Sequence, residues 1–179
     1  MSPVSIFHLI AEIVQNNNVS CVVIGGYAVN HYKVARQTAD IDFLITQEDL
    51  KKILSSLETA GYKLGESQEN FAHFTGGQLS FMDIDFMFVD RETLEKITAE
   101  AQELKIAGQS FLVPSLYHLI ALKLHSIKFN RKSRILKDFP DIVNLIRVNK
   151  IDIREEEFQK MCLKYGDQNL WDQIQEAAG

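Results

Sequence analysis

Apolar residues recur along this chain with two different periods, and the change from one to the other divides it. Ile6, Leu9, Ile10, Ile13 and Val14 share one face at helical spacing, opened by Ser2-Pro3 and closed by Asn16 to Asn18. Ser20 to Ile24 is a β-branched, apolar run that stops at Gly25-Gly26, after which Tyr27 to Tyr32 reads as a short helix. Asp40 to Ile45 is a second strand, and Thr46 to Gly61 an amphipathic helix carrying Leu50, Ile53, Leu54 and Leu57. Phe71 to Thr75 and Leu79 to Val89 make a predicted hairpin through the turn pair Gly76-Gly77, which brings antiparallel strands into the sheet. A helix over Glu92 to Ala101 and two short strands around Gly108 complete this part. Past Pro114 every segment reads as helix: Ser115 to Lys128, Phe139 to Val148, Arg154 to Lys164, and a last one around Trp171. The pattern predicts an α/β fold of the α+β kind, a mixed sheet flanked by helices over residues 1–113, followed by a helical domain over 114–179.

Composition adds exclusions. With 179 residues, 46% hydrophobic and 24% charged, the chain has room for one real core and a smaller helical appendage. No apolar run reaches bilayer length, and Met1-Ser2-Pro3 lacks the basic start of a secretory signal, so the expected location is the cytoplasm, away from membranes. Cys21 and Cys162 sit in apolar patterns and read as packed thiols, which leaves neither a disulfide framework nor a thiolate metal site. A net charge of -5 argues against a protein coated in basic surface. A local patch exists nonetheless, because Ser115 to Lys137 holds no acidic residue while Lys123, Lys128, Arg131, Lys132, Arg134 and Lys137 all fall there. The run from Lys128 to Lys137 reads either as a solvated loop or as a surface welcoming an NTP or RNA.

The chemical signal lies in the aspartates. Strand side chains alternate, so Asp40 and Asp42 project from one face of their strand while Ala39, Ile41, Phe43 and Ile45 form the other. Paired carboxylates repel each other unless a cation neutralises them, and the device recurs where Met82, Ile84, Phe86 and Phe88 alternate with Asp83 and Asp85. Carboxylates without a histidine or cysteine cluster favour a hard ion, Mg²⁺ or Mn²⁺, over zinc. Gly25-Gly26, at a strand-to-helix junction, lets backbone approach a ligand, phosphate being the natural guest.

Together, Gly25-Gly26, a short helix, Asp40-Ile41-Asp42 and a later strand with Asp85 resemble the DNA polymerase β-like nucleotidyltransferase superfamily. The stretch Ile24-Gly25-Gly26-Tyr27-Ala28-Val29 with Arg36-Gln37-Thr38-Ala39-Asp40-Ile41-Asp42 is similar to its minimal bacterial members, including abortive-infection and toxin-antitoxin nucleotidyltransferases. Over the helical part, Pro114-Ser115, Leu122-Lys123-Leu124 and Lys137-Asp138-Phe139-Pro140-Asp141 carry a looser likeness. The resemblance implies an enzyme in which Asp40 and Asp42 hold two metal ions. Asp85 shares one of them and helps to activate an acceptor hydroxyl, with Asp83 the rival for that role. An NMP then passes from NTP to acceptor with loss of pyrophosphate. Many members carry a serine where this chain has Gly26, so only backbone groups are offered there.

Other positions read two ways. Arg36 and Thr38 lie just upstream of the acidic strand as candidates to bind the nucleotide, and Arg36 serves either phosphate or an exposed salt bridge. Lys123 interrupts the apolar face of Leu119, Ile120, Leu122, Leu124 and Ile127, and either reaches a triphosphate across a cleft completed by the helical domain or snorkels at a helix edge. Asp138 and Asp141 have the spacing of a helix cap and a first-turn carboxylate. His31, His73, His118 and His125 lack metal-ligand spacing and read as ordinary packed or surface residues, as do Tyr27 and Tyr32. The expected acceptor is RNA or protein, with the chain a toxin component facing an antitoxin partner. The alternatives are a small-molecule acceptor of the aminoglycoside kind and a nucleotide-binding module without turnover.

Overall fold

The structure, a computed structural model, describes residues 5–77 and 82–179; the predicted helix opening at Ser2-Pro3 and the start of the predicted strand at Leu79 fall outside them. In chain order the elements are α1 (Ile6–Asn16), β1 (Val22–Val23), α2 (Gly25–His31), β2 (Asp40–Ile45), α3 (Gln47–Thr59), β3 (Tyr62–Ser67), β4 (Phe71–Gly76) and β5 (Asp83–Phe88). Then follow α4 (Arg91–Ala99), β6 (Gln102–Ile106), β7 (Gln109–Val113), α5 (Leu116–Phe129), α6 (Arg131–Val148), α7 (Glu156–Tyr165) and α8 (Gln168–Ala178). They form two compact units, one from the chain up to Ala28 with Gln37–Pro114, the other from Val29–Arg36 with Ser115–Gly179. Residues 29–36 thus lie with the helices, where a single division near Pro114 had placed them with the sheet.

In the first unit a mixed five-stranded sheet has the order β1-β2-β5-β4-β3. β2 and β5 run parallel, and the pairings β1–β2, β4–β5 and β3–β4 are antiparallel. Ile41, Phe43 and Ile45 on β2 and Ile84 and Phe86 on β5 are all buried, with the Phe43 and Phe86 rings stacked at a centroid distance of 5.7 Å. Helices begin where the sequence offers a cap: Ser5 Oγ accepts from the His8 N–H at 3.2 Å, and Thr46 Oγ1 from the Asp49 N–H at 3.1 Å. β3 carries no strand signal of its own, because only Tyr62 among its residues is buried. It is an edge strand, formed by pairing to β4 rather than by an apolar pattern. β6 and β7 form a separate hairpin about Gly108, as expected.

In the second unit α5 buries Leu119, Ile120, Leu124 and Ile127, and Phe158 of α7 meets Trp171 of α8 edge-on at 6.3 Å. Here one expectation is corrected. The basic run is not a loop before a helix at Phe139, since α6 starts at Arg131 and continues through Pro140. Proline cannot donate to the carbonyl four residues back, and Pro140 lies on the exposed side of the helix. Among the described residues no helix is long and apolar enough to cross a membrane.

Candidate active site

Because β2 and β5 are parallel and in register, with Asp40 opposite Asp83 and Asp42 opposite Asp85, their polar faces fall on the same side of the sheet. The buried residues Ile41, Phe43, Ile84 and Phe86 anchor the other side, so the aspartates cannot turn inward without a register slip. Asp40, Asp42 and Asp85, all half-buried, each bring a carboxylate oxygen to within 4.8 Å of the others, an arrangement able to hold a metal ion. The Thr38 hydroxyl lies 2.9 Å from the Asp40 carbonyl oxygen and 3.0 Å from Asp40 Oδ1, tying the head of β2 to the residue two positions before it.

The glycine pair is explained by close approach. Gly25 has φ +63°, and a Cβ there would lie 1.9 Å from Asp42 Oδ2. A Cβ on Gly26 would lie 2.6 Å from the Thr38 Cβ and 2.8 Å from its hydroxyl oxygen. Thr38 therefore fills the space that a serine in place of Gly26 would need, which accounts for the missing side chain at that position. The Tyr27 hydroxyl reaches Met82 Sδ at 3.5 Å, and its pKa is raised by burial and by the charge of Asp40.

Asp83 and Asp85 share a face but not their surroundings. Asp83 Oδ1 accepts from the Gly76 N–H at 3.0 Å, and its side chain is 45% exposed against 29% for Asp85. Asp85 Oδ1 lies 2.6 Å from His73 Nδ1 on the adjoining strand, where β4 pairs His73 directly with Asp85. His73 Nε2 is 3.8 Å from Asp83 Oδ2. The hydrogen bond to Asp85 raises the His73 pKa against the opposing effect of burial, helped by the charges of Asp85, Asp83 and Asp40. His73 was read from sequence as an ordinary histidine. Its signal lay in the hairpin register, which the alternation of either strand alone does not supply.

Two cations that serve either a phosphate or a protein partner both make ion pairs. Lys123 is only 6% exposed, and its Nζ donates to Asp138 Oδ1 at 2.9 Å and Asp141 Oδ2 at 2.7 Å. Arg36, in the same unit, donates to Asp141 Oδ2 at 2.7 Å, and its backbone is clasped by the Asn30 side chain. Asp138 and Asp141 are thus not a cap and a first-turn charge; they sit inside α6 and face α5. Of the two cysteine thiols Cys162 is buried and Cys21 half-buried, and burial pushes both up to about 12.

The sequence model of a family described as uncharacterised nucleotidyltransferase matches residues 4–173. The chain belongs to this nucleotidyltransferase family. No curated protein matches it in sequence. A similar solved structure is ANT(2″)-Ia in complex with adenylyl-2″-tobramycin, 15% identical with a TM-score of 0.65, the match covering 92% of this chain and 97% of that one. An antigenic nucleotidyltransferase-like protein from Paracoccidioides brasiliensis is 15% identical with a TM-score of 0.55, over 94% and 89% of the two chains. The lincosamide antibiotic adenylyltransferase LnuA, lincomycin-bound, is 16% identical with a TM-score of 0.54, over 78% and 93%. At these identities the likeness is one of fold, and the nucleotidyltransferase fold is what the family resemblance implied.

Proposed function

We propose that this nucleotidyltransferase moves an NMP from an NTP to an acceptor hydroxyl in a reaction dependent on Mg²⁺ or Mn²⁺, releasing pyrophosphate. The observation that carries the proposal is the approach of Asp40, Asp42 and Asp85 to within 4.8 Å on two in-register strands. The donor set fits such an ion, since all three ligands are carboxylates and hard divalent cations prefer oxygen. Bound there, the ion would supply charge neutralisation for the attacking and leaving oxygens. Asp40 and Asp42 hold the site, with Thr38 fixing Asp40 through its hydroxyl. Asp85 completes it and takes the proton from the acceptor hydroxyl as that oxygen bonds to the α-phosphorus and the bond to pyrophosphate breaks. Gly25 and Gly26 offer backbone to the nucleotide. Arg36 and Lys123 would each have to surrender a charge-assisted hydrogen bond to reach a phosphate, so we assign them to holding the helical unit together.

For the acceptor, the basic run with exposed Lys128, Lys132 and Lys137 supports RNA or an acidic protein, in keeping with a toxin that an antitoxin partner restrains. A second reading, a small-molecule hydroxyl, is favoured by the fold shared with ANT(2″)-Ia over 92% of this chain. The test incubates the protein with Mg²⁺ and each α-labelled NTP in turn, against cellular RNA, cellular protein and a panel of aminoglycosides and lincosamides. Label should appear on one class of acceptor with the wild type, and Asp42→Asn should lower the rate by 10²-fold or more, on the order expected for losing a charge-stabilising group. A folded Asp42→Asn variant with full activity would sink the site.

A further inference from the structure

Asp83 and Asp85 stand two apart on β5 and point to the same face, yet only Asp85 joins Asp40 and Asp42. Nothing on β5 itself separates them. The difference comes from β4, whose His73 lies directly opposite Asp85. A carboxylate can only accept, so the 2.6 Å contact is an Nδ1–H of His73 donating to Asp85 Oδ1. On the other side of the ring, Nε2 stands 3.8 Å from Asp83 Oδ2, while Asp83 Oδ1 is taken by the Gly76 N–H at 3.0 Å. The imidazole therefore occupies one oxygen of Asp85, limits how its carboxylate can rotate, and stands between it and Asp83.

We infer that His73 is a positioning residue of the metal site: it holds Asp85 in the triad as a ligand through one oxygen and keeps Asp83 out. The inference rests on the reading of Asp40, Asp42 and Asp85 as the cation site. Carboxylate ligands are commonly oriented by such outer partners, and losing one costs roughly 10–100-fold in metal affinity. A histidine that merely stitched two strands together would affect the thermal midpoint and leave affinity for the ion unchanged.

The test is a titration of the full chain with Mn²⁺ alone, read from the electron paramagnetic resonance signal of the free ion, for four proteins. These are the wild type, Asp42→Asn, His73→Phe, which keeps a ring and removes both nitrogens, and His73→Asn, whose amide nitrogen falls near the place of Nδ1. His73→Phe should bind Mn²⁺ more weakly by about 10–100-fold, and His73→Asn should recover most of that loss. Wild-type affinity in folded His73→Phe, or equal losses in the two His73 variants, overturns the inference while leaving the site standing. A wild type that fails to bind Mn²⁺, or binding that survives Asp42→Asn, overturns the site and the inference with it. Should His73→Phe not fold, the His73 Nδ1–H resonance of the wild type replaces it: a shift on adding Mg²⁺ supports the inference, and none overturns it.

Discussion

Gly25 has no room for a side chain. Its φ of +63° is costly for any other residue, and a Cβ would lie 1.9 Å from Asp42 Oδ2. Gly25→Ala should therefore act twice, adding about 1–2 kcal/mol of left-handed strain and pushing the Asp42 carboxylate from its place. The expected outcome is a folded protein with a lowered thermal midpoint and nucleotidyl transfer reduced toward that of Asp42→Asn. Unchanged transfer would show that Asp42 can move without consequence. At this scale the sequence was readable where chemistry follows from alternation along one strand. Asp40, Asp42, Asp83 and Asp85 could all be placed on polar faces in this way. It was opaque where the decision belongs to a neighbouring strand, as with His73 and the distinction between Asp83 and Asp85. Likewise Gly26 read as a missing serine until Thr38 was seen to fill that space.

Among the elements, α6 departs furthest from expectation. Local rules start a helix near Asp138 and Pro140, with the basic residues before it in a loop. The actual helix begins at Arg131 because Asp138 and Asp141, one turn apart, both reach Lys123 of α5, and that contact between helices outweighs the proline. Lys123, Asp138 and Asp141 have side chains only 7%, 6% and 8% exposed, so removing the cation strands the buried Asp138 and leaves Asp141 with Arg36 alone. Lys123→Met should cost about 3–5 kcal/mol, visible as a lower urea midpoint. A loss under about 1 kcal/mol would mean that the network behaves like a surface pair. β3 shows the same limit in a different form. Its exposed side chains carry no periodicity, and its existence follows from the free edge of β4.

Across the whole molecule, the order of elements and the family were legible together, since the Gly-Gly turn and the acidic strand lie close in sequence and the matched family spans residues 4–173. The allocation of Val29–Arg36 to the helical unit was not, because it depends on partners as distant as Asp141 and Asn149. The pairing of β2 with β5 has a consequence for folding. Two of the three carboxylates are neighbours in the chain, but the third arrives only when a strand beyond α3, β3 and β4 has docked in the right register. An unfolded chain presents the ion with a pair of ligands at best, so the divalent cation should act as a clasp that recognises the finished sheet. By mass action, Mg²⁺ at 100 times its dissociation constant would add about 2.7 kcal/mol to stability, raising the thermal midpoint by roughly 5–10 °C for a chain of this size. Asp42→Asn should melt at the same temperature with or without the ion, and a wild type indifferent to Mg²⁺ would remove the clasp from the account. If the rise is seen, chelation becomes a way to loosen the long-range strand pairing without altering a single residue.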